Sequence, residues 1–253
     1  VDNLVIRCIK KAFYRIYPTT HISAFLRTIY LQRYIRRFQF TRVLDAGCGT
    51  GQFTLYLARK YPHAEFTGYD LSEKAIKTSV ASRNLHKLHN ADFQKMDLFE
   101  LNQKSVFDLI YSIDVLEHIV GNMKVIHNLD SALRKGGILY IAMPYEKDHR
   151  FLFPAKFHQR YVQWSAVEHG GDQYSLEEWK TLLQNLGYEI IISKRTFGMW
   201  GKLAWEMDLV LEGNKVIKRL LLPFLLCLCC LDIIWKNGRT SYALLIVARK
   251  NTE

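Results

Sequence analysis

No stretch of this chain is apolar for long enough to cross a bilayer. The longest apolar run, Leu220 to Leu231, has twelve residues and no charge, against about 20 apolar residues for a spanning helix. Pro223 and the charges flanking the run count further against a crossing. No internal repeat or low-complexity tract is present, which excludes solenoid and fibrous architectures. Cysteines are few and odd in number: Cys8, Cys48, Cys227, Cys229 and Cys230. A chain of this size needs no disulfide framework, so they point to small buried hydrophobes in a reducing compartment. Cys227 and Cys230 spell CxxC, but inside an apolar run with no second pair and no nearby His, which argues against zinc. No cleavable signal pattern opens the chain, because Arg7, Lys10, Lys11 and Arg15 interrupt every apolar stretch there. The start at Val1 in place of Met reads as a trimmed terminus. Acids are nearly absent from the beginning: up to Arg42, Asp2 stands alone against Arg7, Lys10, Lys11, Arg15, Arg27, Arg33, Arg36, Arg37 and Arg42.

What remains is a chain of 253 residues, 49% hydrophobic and 13% aromatic, able to bury the core of one large domain. Its net charge of +11 calls for an anionic partner: nucleic acid, an acidic membrane face or a phosphorylated substrate. Most of that charge lies in residues 1–41, a basic arm whose Val5, Ile9, Phe13 and Ile16 fall at helical spacing.

From Val43 onward short apolar runs alternate with helical patterns, which predicts a parallel sheet wrapped by helices. The predicted strands are 42–46, 65–70, 91–96, 107–112, 137–142, 188–195 and 242–249. A loop is expected over 145–174. Ser175 with Glu178 forms a capping box that opens a helix to about Asn185, and Gly187 ends it. Between the last two strands, residues at about 197–240 exceed what a hairpin needs, so they form an insertion.

The strongest local signal is Val43-Leu44-Asp45-Ala46-Gly47-Cys48-Gly49-Thr50-Gly51, a strand running into a glycine turn and then a helix. Glycines there let a ligand approach backbone where a Cβ would collide with it. The spacing is GxGxG after an acid, not the GxGxxG of dinucleotide sites, and favours a nucleoside without a pyrophosphate. With this turn, Asp70 ending the second strand, Asp97 past the third, and the run from Phe107 to His118, the sequence resembles the class I S-adenosylmethionine-dependent methyltransferases. The nearest likeness is to the small-molecule, ubiquinone-pathway O-methyltransferase type. The resemblance implies an α/β, Rossmann-like seven-stranded sheet of order 3-2-1-4-5-7-6 with the last strand antiparallel. It implies S-adenosyl-L-methionine as methyl donor, leaving as S-adenosyl-L-homocysteine. Asp70, followed by Leu71, would hold the ribose hydroxyls. Asp97 and Leu98 would hold the adenine. Asp45, Gly47, Cys48, Gly49 and Gly51, with Ile113 and Asp114 after strand four, would line the methionine portion.

In open α/β sheets ligands sit beyond the carboxyl ends of the strands, which makes Glu117, His118, Tyr145, His149 and His169 the acceptor-side candidates. His118 leads, with Glu117, Tyr145 and His169 as the other catalytic candidates. The Asp114-x-x-Glu117-His118 group also resembles an acidic-x-x-Glu-His motif that binds a divalent metal in ubiquinone-pathway O-methyltransferases and small-RNA 2′-O-methyltransferases. Asp replaces the usual Glu at its first position, and the expectation is catalysis without metal. Adenine amino-methyltransferases are disfavoured by the lack of Asn-Pro-Pro-Tyr after strand four, and cytosine-C5 enzymes by the lack of a Pro-Cys nucleophile. Only Glu117 answers to the glutamate pair of protein-arginine methyltransferases.

Three readings of the insertion stand side by side: an internal cover helix, a lid over an apolar acceptor, and a helix resting in the membrane interface. The expected activity is methyl transfer to a hydroxyl of a hydrophobic or lipid-linked small molecule by a cytoplasmic protein with peripheral contact to anionic membrane. The rival is an RNA ribose methyltransferase, with Tyr14, Tyr17, Tyr30 and Tyr34 as stacking surfaces. A cofactor-binding scaffold without catalysis is the third.

Overall fold

The computed structural model describes residues 21–145, 151–234 and 241–252. Val5, Ile9, Phe13, Ile16, Tyr14, Tyr17 and His149 lie outside these.

Seven strands form one sheet of order β3-β2-β1-β4-β5-β7-β6: β1 (Arg42–Ala46), β2 (Glu65–Asp70), β3 (Ala91–Lys95), β4 (Phe107–Ile113), β5 (Leu133–Pro144), β6 (Tyr188–Thr196) and β7 (Ala243–Lys250). β1 to β5 run parallel, and β7 is antiparallel to both β5 and β6. The order is the expected one. Strand β5 starts earlier than its sequence pattern, at Leu133, because Leu133 pairs with Phe107 ahead of a register shift on β4. The central strands read as nearly unbroken apolar runs because both faces are covered, with Leu109, Ile110, Tyr111, Tyr140 and Ile141 at 0% exposure.

One face is covered by α1 (Ile22–Ile35), α2 (Gln52–Lys60), α3 (Glu73–His86), α7 (Met199–Val210) and α8 (Lys215–Ile234). The other is covered by α4 (Asn122–Ala132) and α6 (Leu176–Asn185). Helix α5 (Gln159–Glu168) occupies the stretch expected to be loop. Its face buries little of its own, Ser165 being its only fully buried residue, so no apolar stripe announced it. The capping box before α6 is present: Ser175 N donates to Glu178 Oε2 at 2.6 Å and Glu178 N to Ser175 Oγ at 3.2 Å.

Helix α1 belongs to the same core as the sheet and is no free arm. Tyr30 and Tyr34 are buried at 2% and 6% exposure, which removes them as stacking surfaces for RNA. The insertion folds as the α7–α8 hairpin. Asp232, wholly buried on α8, fastens it: its carboxylate accepts from Gly198 N (3.2 Å) and Gly201 N (2.9 Å) at the start of α7 and from Tyr30 Oη (2.9 Å) on α1. A carboxylate at a helix N-terminus meets unpaired N–H groups and the positive end of the dipole. The apolar run from Leu220 to Leu231 is thus helical, with Leu225 and Cys229 at 0% exposure on its inner side. Among the described residues no helix is long and apolar enough to cross a membrane.

Candidate active site

The carboxyl end of β1 runs into the glycine turn, where Gly47, Gly49 and Gly51 all have positive φ (85°, 52° and 75°). Gly47 N and Cys48 N both donate to Tyr69 O on β2, at 2.8 and 2.9 Å, which holds the turn against the neighbouring strand. A Cβ at Gly47 would fall 2.3 Å from Val115 Cγ2. The same construction at Gly49 meets nothing within 4 Å, so the turn is closed on one side and open on the other. That open backbone is what a nucleoside ligand requires.

Asp70 ends β2 beside it. Its carboxylate is already engaged: Asp70 Oδ2 accepts from Gly49 N at 2.7 Å and Oδ1 from Ser72 N at 2.8 Å. The carboxylate therefore braces the glycine turn and the start of α3, while each oxygen keeps a lone pair for a hydroxyl. Leu71 next to it is 65% exposed. Asp97 accepts from Phe99 N at 2.9 Å and caps the short turn after β3. The Leu98 and Ile113 side chains are buried, so what these two positions offer a ligand is backbone. Cys48 is buried, and burial pushes its thiol well above the usual range, which leaves it an inert packing group.

Asp45 is 1% exposed under the turn. Its Oδ2 accepts from Thr54 Oγ1 (2.6 Å) and Tyr111 Oη (3.1 Å). Desolvation pushes its carboxyl up to about 7, with the two hydroxyls acting in the opposite direction. Oδ1 is buried with no hydrogen-bond partner among the described residues, a polar atom that a bound donor could satisfy.

Asp114 follows β4 with φ of 54°. Its carboxylate is gripped by Arg27 of α1, Nη2 to Oδ1 at 2.5 Å and Nε to Oδ2 at 3.2 Å. Arg27 is 3% exposed and lies over the Phe197 ring at 4.7 Å. Burial works against its charge, the Asp114 carboxylate outweighs it, and the guanidinium stays charged. Sequence reading counted Arg27 only as arm charge. The signal that it is internal was its place on the stripe Ala24, Arg27, Thr28, Leu31 and Ile35, all buried at helical spacing.

The acceptor side is assembled from two segments. The short turn Leu116–His118 buries Leu116 and Glu117, each at 1%, and leaves His118 partly open. The segment after α5 docks on it: Gly171 N donates to Glu117 O at 2.8 Å, and a Cβ at Gly171 would lie 2.6 Å from that oxygen. Asn122 Nδ2 reaches Leu116 O (3.0 Å) and Asp172 O (2.9 Å), stapling turn to segment. This close approach brings His169 beside His118, ring centroids 4.9 Å apart, with Trp164 of α5 at 5.3 Å from His169. Glu117, His118 and His169 each present a ligand-type atom within 4.8 Å of the others'. Three of the four predicted catalytic residues are thus gathered. Tyr145, the fourth, is packed in the core at 7% exposure under the Arg195 guanidinium, 4.6 Å from its ring centre.

His118 Nδ1 lies 2.7 Å from Glu168 O. A carbonyl can only accept, so Nδ1 carries the proton, and in the neutral ring Nε2 is the basic nitrogen. Nε2 sits 3.8 Å from Glu117 Oε1.

An aromatic cluster that the sequence does not announce reaches these groups through Trp164, whose ring lies 5.8 Å from Tyr161 and 6.4 Å from His118. Trp205 of α7 stacks on Tyr242 (4.5 Å) and meets Tyr161 of α5 edge-on (5.0 Å), and Phe151 stacks on His158 (4.0 Å). Glu206 anchors it, accepting from Leu152 N at 2.8 Å and Phe153 N at 2.9 Å, with His158 Nε2 3.3 Å away.

A family model described as a methyltransferase domain matches residues 39–187. The chain is 34% identical over 119 residues to the trans-aconitate 2-methyltransferase of Deinococcus radiodurans, covering 47% of this chain and 44% of that protein. It is 28% identical over 160 residues to the malonyl-[acyl-carrier protein] O-methyltransferase of a Paenibacillus species, covering 59% and 56%. It thus spans about half the length of these curated relatives. Among solved structures, the phosphoethanolamine N-methyltransferase 2 of Haemonchus contortus in complex with S-adenosyl-L-methionine superposes with a TM-score of 0.64 at 18% identity, covering 89% of this chain and 52% of that one. Matched over more than half its length, and with the strand order observed, the chain belongs to the methyltransferase domain family and has the class I fold, whose methyl donor is S-adenosylmethionine.

Proposed function

We propose that the protein transfers a methyl group from S-adenosylmethionine to a hydroxyl of a small hydrophobic or lipid-linked acceptor. The observation that carries oxygen as the acceptor atom is the His118 tautomer. With Nδ1 donating to Glu168 O, Nε2 is held ready to take a proton. The buried Glu117 side chain lies 3.8 Å from that nitrogen and fixes where the ring can sit. A hydroxyl needs that proton removed as the methyl arrives, whereas a neutral amine does not. The bound donor would supply a methyl group on a sulfonium. The glycine turn with Asp45, Asp70 and Asp97 would hold it, and the rest is alignment in a dry cleft. Water exclusion is the role of α5 and α7, whose Trp164, Tyr161 and Trp205 give the acceptor an apolar wall. The malonyl-[acyl-carrier protein] relative is named for O-methylation, which agrees with this reading.

The test is incubation with labelled donor and, separately, total lipid extract and total RNA. Label in the lipid fraction, lost in His118→Ala, supports the proposal. Label in RNA overturns it. A chelator arm accompanies it, because the converging Glu117, His118 and His169 have the composition of a divalent-metal site and the same His118 tautomer would suit a ligand. We expect turnover to survive chelation, since Asp114, first residue of the metal-type motif, is bound by Arg27. Loss of turnover in chelator, restored by magnesium or manganese, would make the trio a metal site.

A further inference from the structure

Helix α8 buries one side against α1 and α7 and turns the other outward. The outward side is apolar along its length. Leu220 is 75% exposed, Phe224 51%, Leu231 44% and Ile234 81%, with Ile217 also exposed. Pro223, Cys227 and Cys230 share that side. From Leu220 to Ile234 the only charged residue is Asp232, and it faces inward at 0% exposure. The strip is about 21 Å long at 1.5 Å per residue. Charges bound it instead: Arg219 precedes it, next to Lys218, whose ammonium is ion-paired to Asp208 at 2.7 Å, and Lys236 and Arg239 follow it in sequence. Arg33 of α1 closes on its end, Nη1 to Ile233 O at 3.1 Å, with Lys194 near enough for Arg33 to hold its ammonium pKa down alongside burial.

We propose that the outer face of α8 is a docking surface for an anionic lipid bilayer. An apolar strip between cations, with no acid exposed on it, matches a surface whose interior is hydrocarbon and whose headgroups are negative. A second copy fits worse. Paired parallel, the strips would bring Arg219 against Arg219, and paired antiparallel against Arg33, with no exposed acid on the strip to answer them. The exposed arc, from Ile217 round to Pro223 and Cys230, is also wider than a two-helix seam and suits a plane. The surface stands independently of which acceptor is methylated.

The experiment is flotation of the full chain with vesicles of phosphatidylcholine, alone and with phosphatidylglycerol, alongside light-scattering mass and melting temperature. The expected result is flotation with the anionic vesicles only, partly released by salt. Phe224→Glu should weaken partitioning about tenfold or more without lowering the melting temperature, whereas Leu225→Glu, on the buried side, unfolds the protein. Methyl transfer to a soluble acceptor by Phe224→Glu should equal the parent's. Three results would overturn the proposal: no flotation at any composition; a dimer that Phe224→Glu turns into a monomer, so that a second copy covers the strip; or a melting temperature that collapses in Phe224→Glu, so that another part of this chain does.

Discussion

The two halves of the cleft are built on different principles. On the donor side most groups come from a strand end or the turn that follows it, between β1 and β3, while Ile113 and Asp114, at the end of β4, stand where the two halves meet. Gly47 and Cys48 bond Tyr69, Gly49 bonds Asp70, and Thr54 bonds Asp45, nine residues away. On the acceptor side the partners are remote in sequence: Arg27 with Asp114, His118 with Glu168, Glu206 with Leu152. Local construction leaves a pattern in the sequence, whereas remote construction leaves residues that look idle until the chain is folded.

The comparison breaks most forcibly at the seam where the halves touch. Gly47→Val forces a Cβ within 2.3 Å of Val115 at a φ of 85°. Donor binding, read by calorimetry with S-adenosylhomocysteine, should disappear, and stability should fall by several kcal/mol, since both overpacking and backbone strain act, each costing about 1–3 kcal/mol. Unchanged affinity would remove the donor assignment.

His118→Ala separates the halves. Turnover should drop by about 10²–10⁴ with S-adenosylhomocysteine affinity unchanged, because nothing on the donor side leans on that ring. Loss of both together would show a structural role.

A third test sits wholly on the donor side. The Asp45 carboxyl is pushed up to about 7 by burial, so between its unfolded value near 4 and 7 the folded state binds more protons than the unfolded one. Stability of the donor-free protein must then fall as pH rises through that window, by up to a few kcal/mol, and level off above it. Asp45→Asn should flatten the slope in urea midpoints measured from pH 5 to 8. A slope that persists in the variant assigns the titration elsewhere.

How much was legible follows from the same contrast. The glycine turn, Asp70 and Asp97 could be read because each stands next to the strand that positions it. Even there the bonds from Asp70 to Gly49 and Ser72 were hidden, since a strand end by itself does not reveal which amides turn back toward it. Adjacency to β4 marks His118 and Glu117 in the sequence, whereas nothing there joins His169 to them. The join lies at Gly171, where the chain presses on Glu117 O and no side chain would fit. Helix α5 reads as loop in the sequence because it rests on the surface by its aromatic residues and buries no continuous stripe. The run from Leu220 to Leu231 carried too little polarity to tell its inner face from its outer one, and only the packing of Leu225 and Cys229 against the core separates them.

Arg27 gives the finest test of where the acceptor half begins. If α1 were a basic arm outside the domain, Arg27→Met would matter no more than Arg36→Met, an exposed position just past the end of the same helix. The structure makes it internal: a guanidinium 3% exposed, bonded through two nitrogens to Asp114 and lying over Phe197. Losing two charge-assisted bonds in a dry site would cost about 3 kcal/mol or more. Asp114 is 40% exposed, however, so water can solvate the abandoned carboxylate, and the expected cost is about 1–2 kcal/mol. Acceptor kcat/KM should fall by more than S-adenosylhomocysteine affinity, because the pair fixes the backbone that leads from β4 into Glu117 and His118. The double variant Arg27→Met, Asp114→Leu should recover part of the stability, since the coupling lies between those two side chains. Arg36→Met should leave both readouts at the parent's values, and equal behaviour of the two single variants would return α1 to the status of a solvated arm.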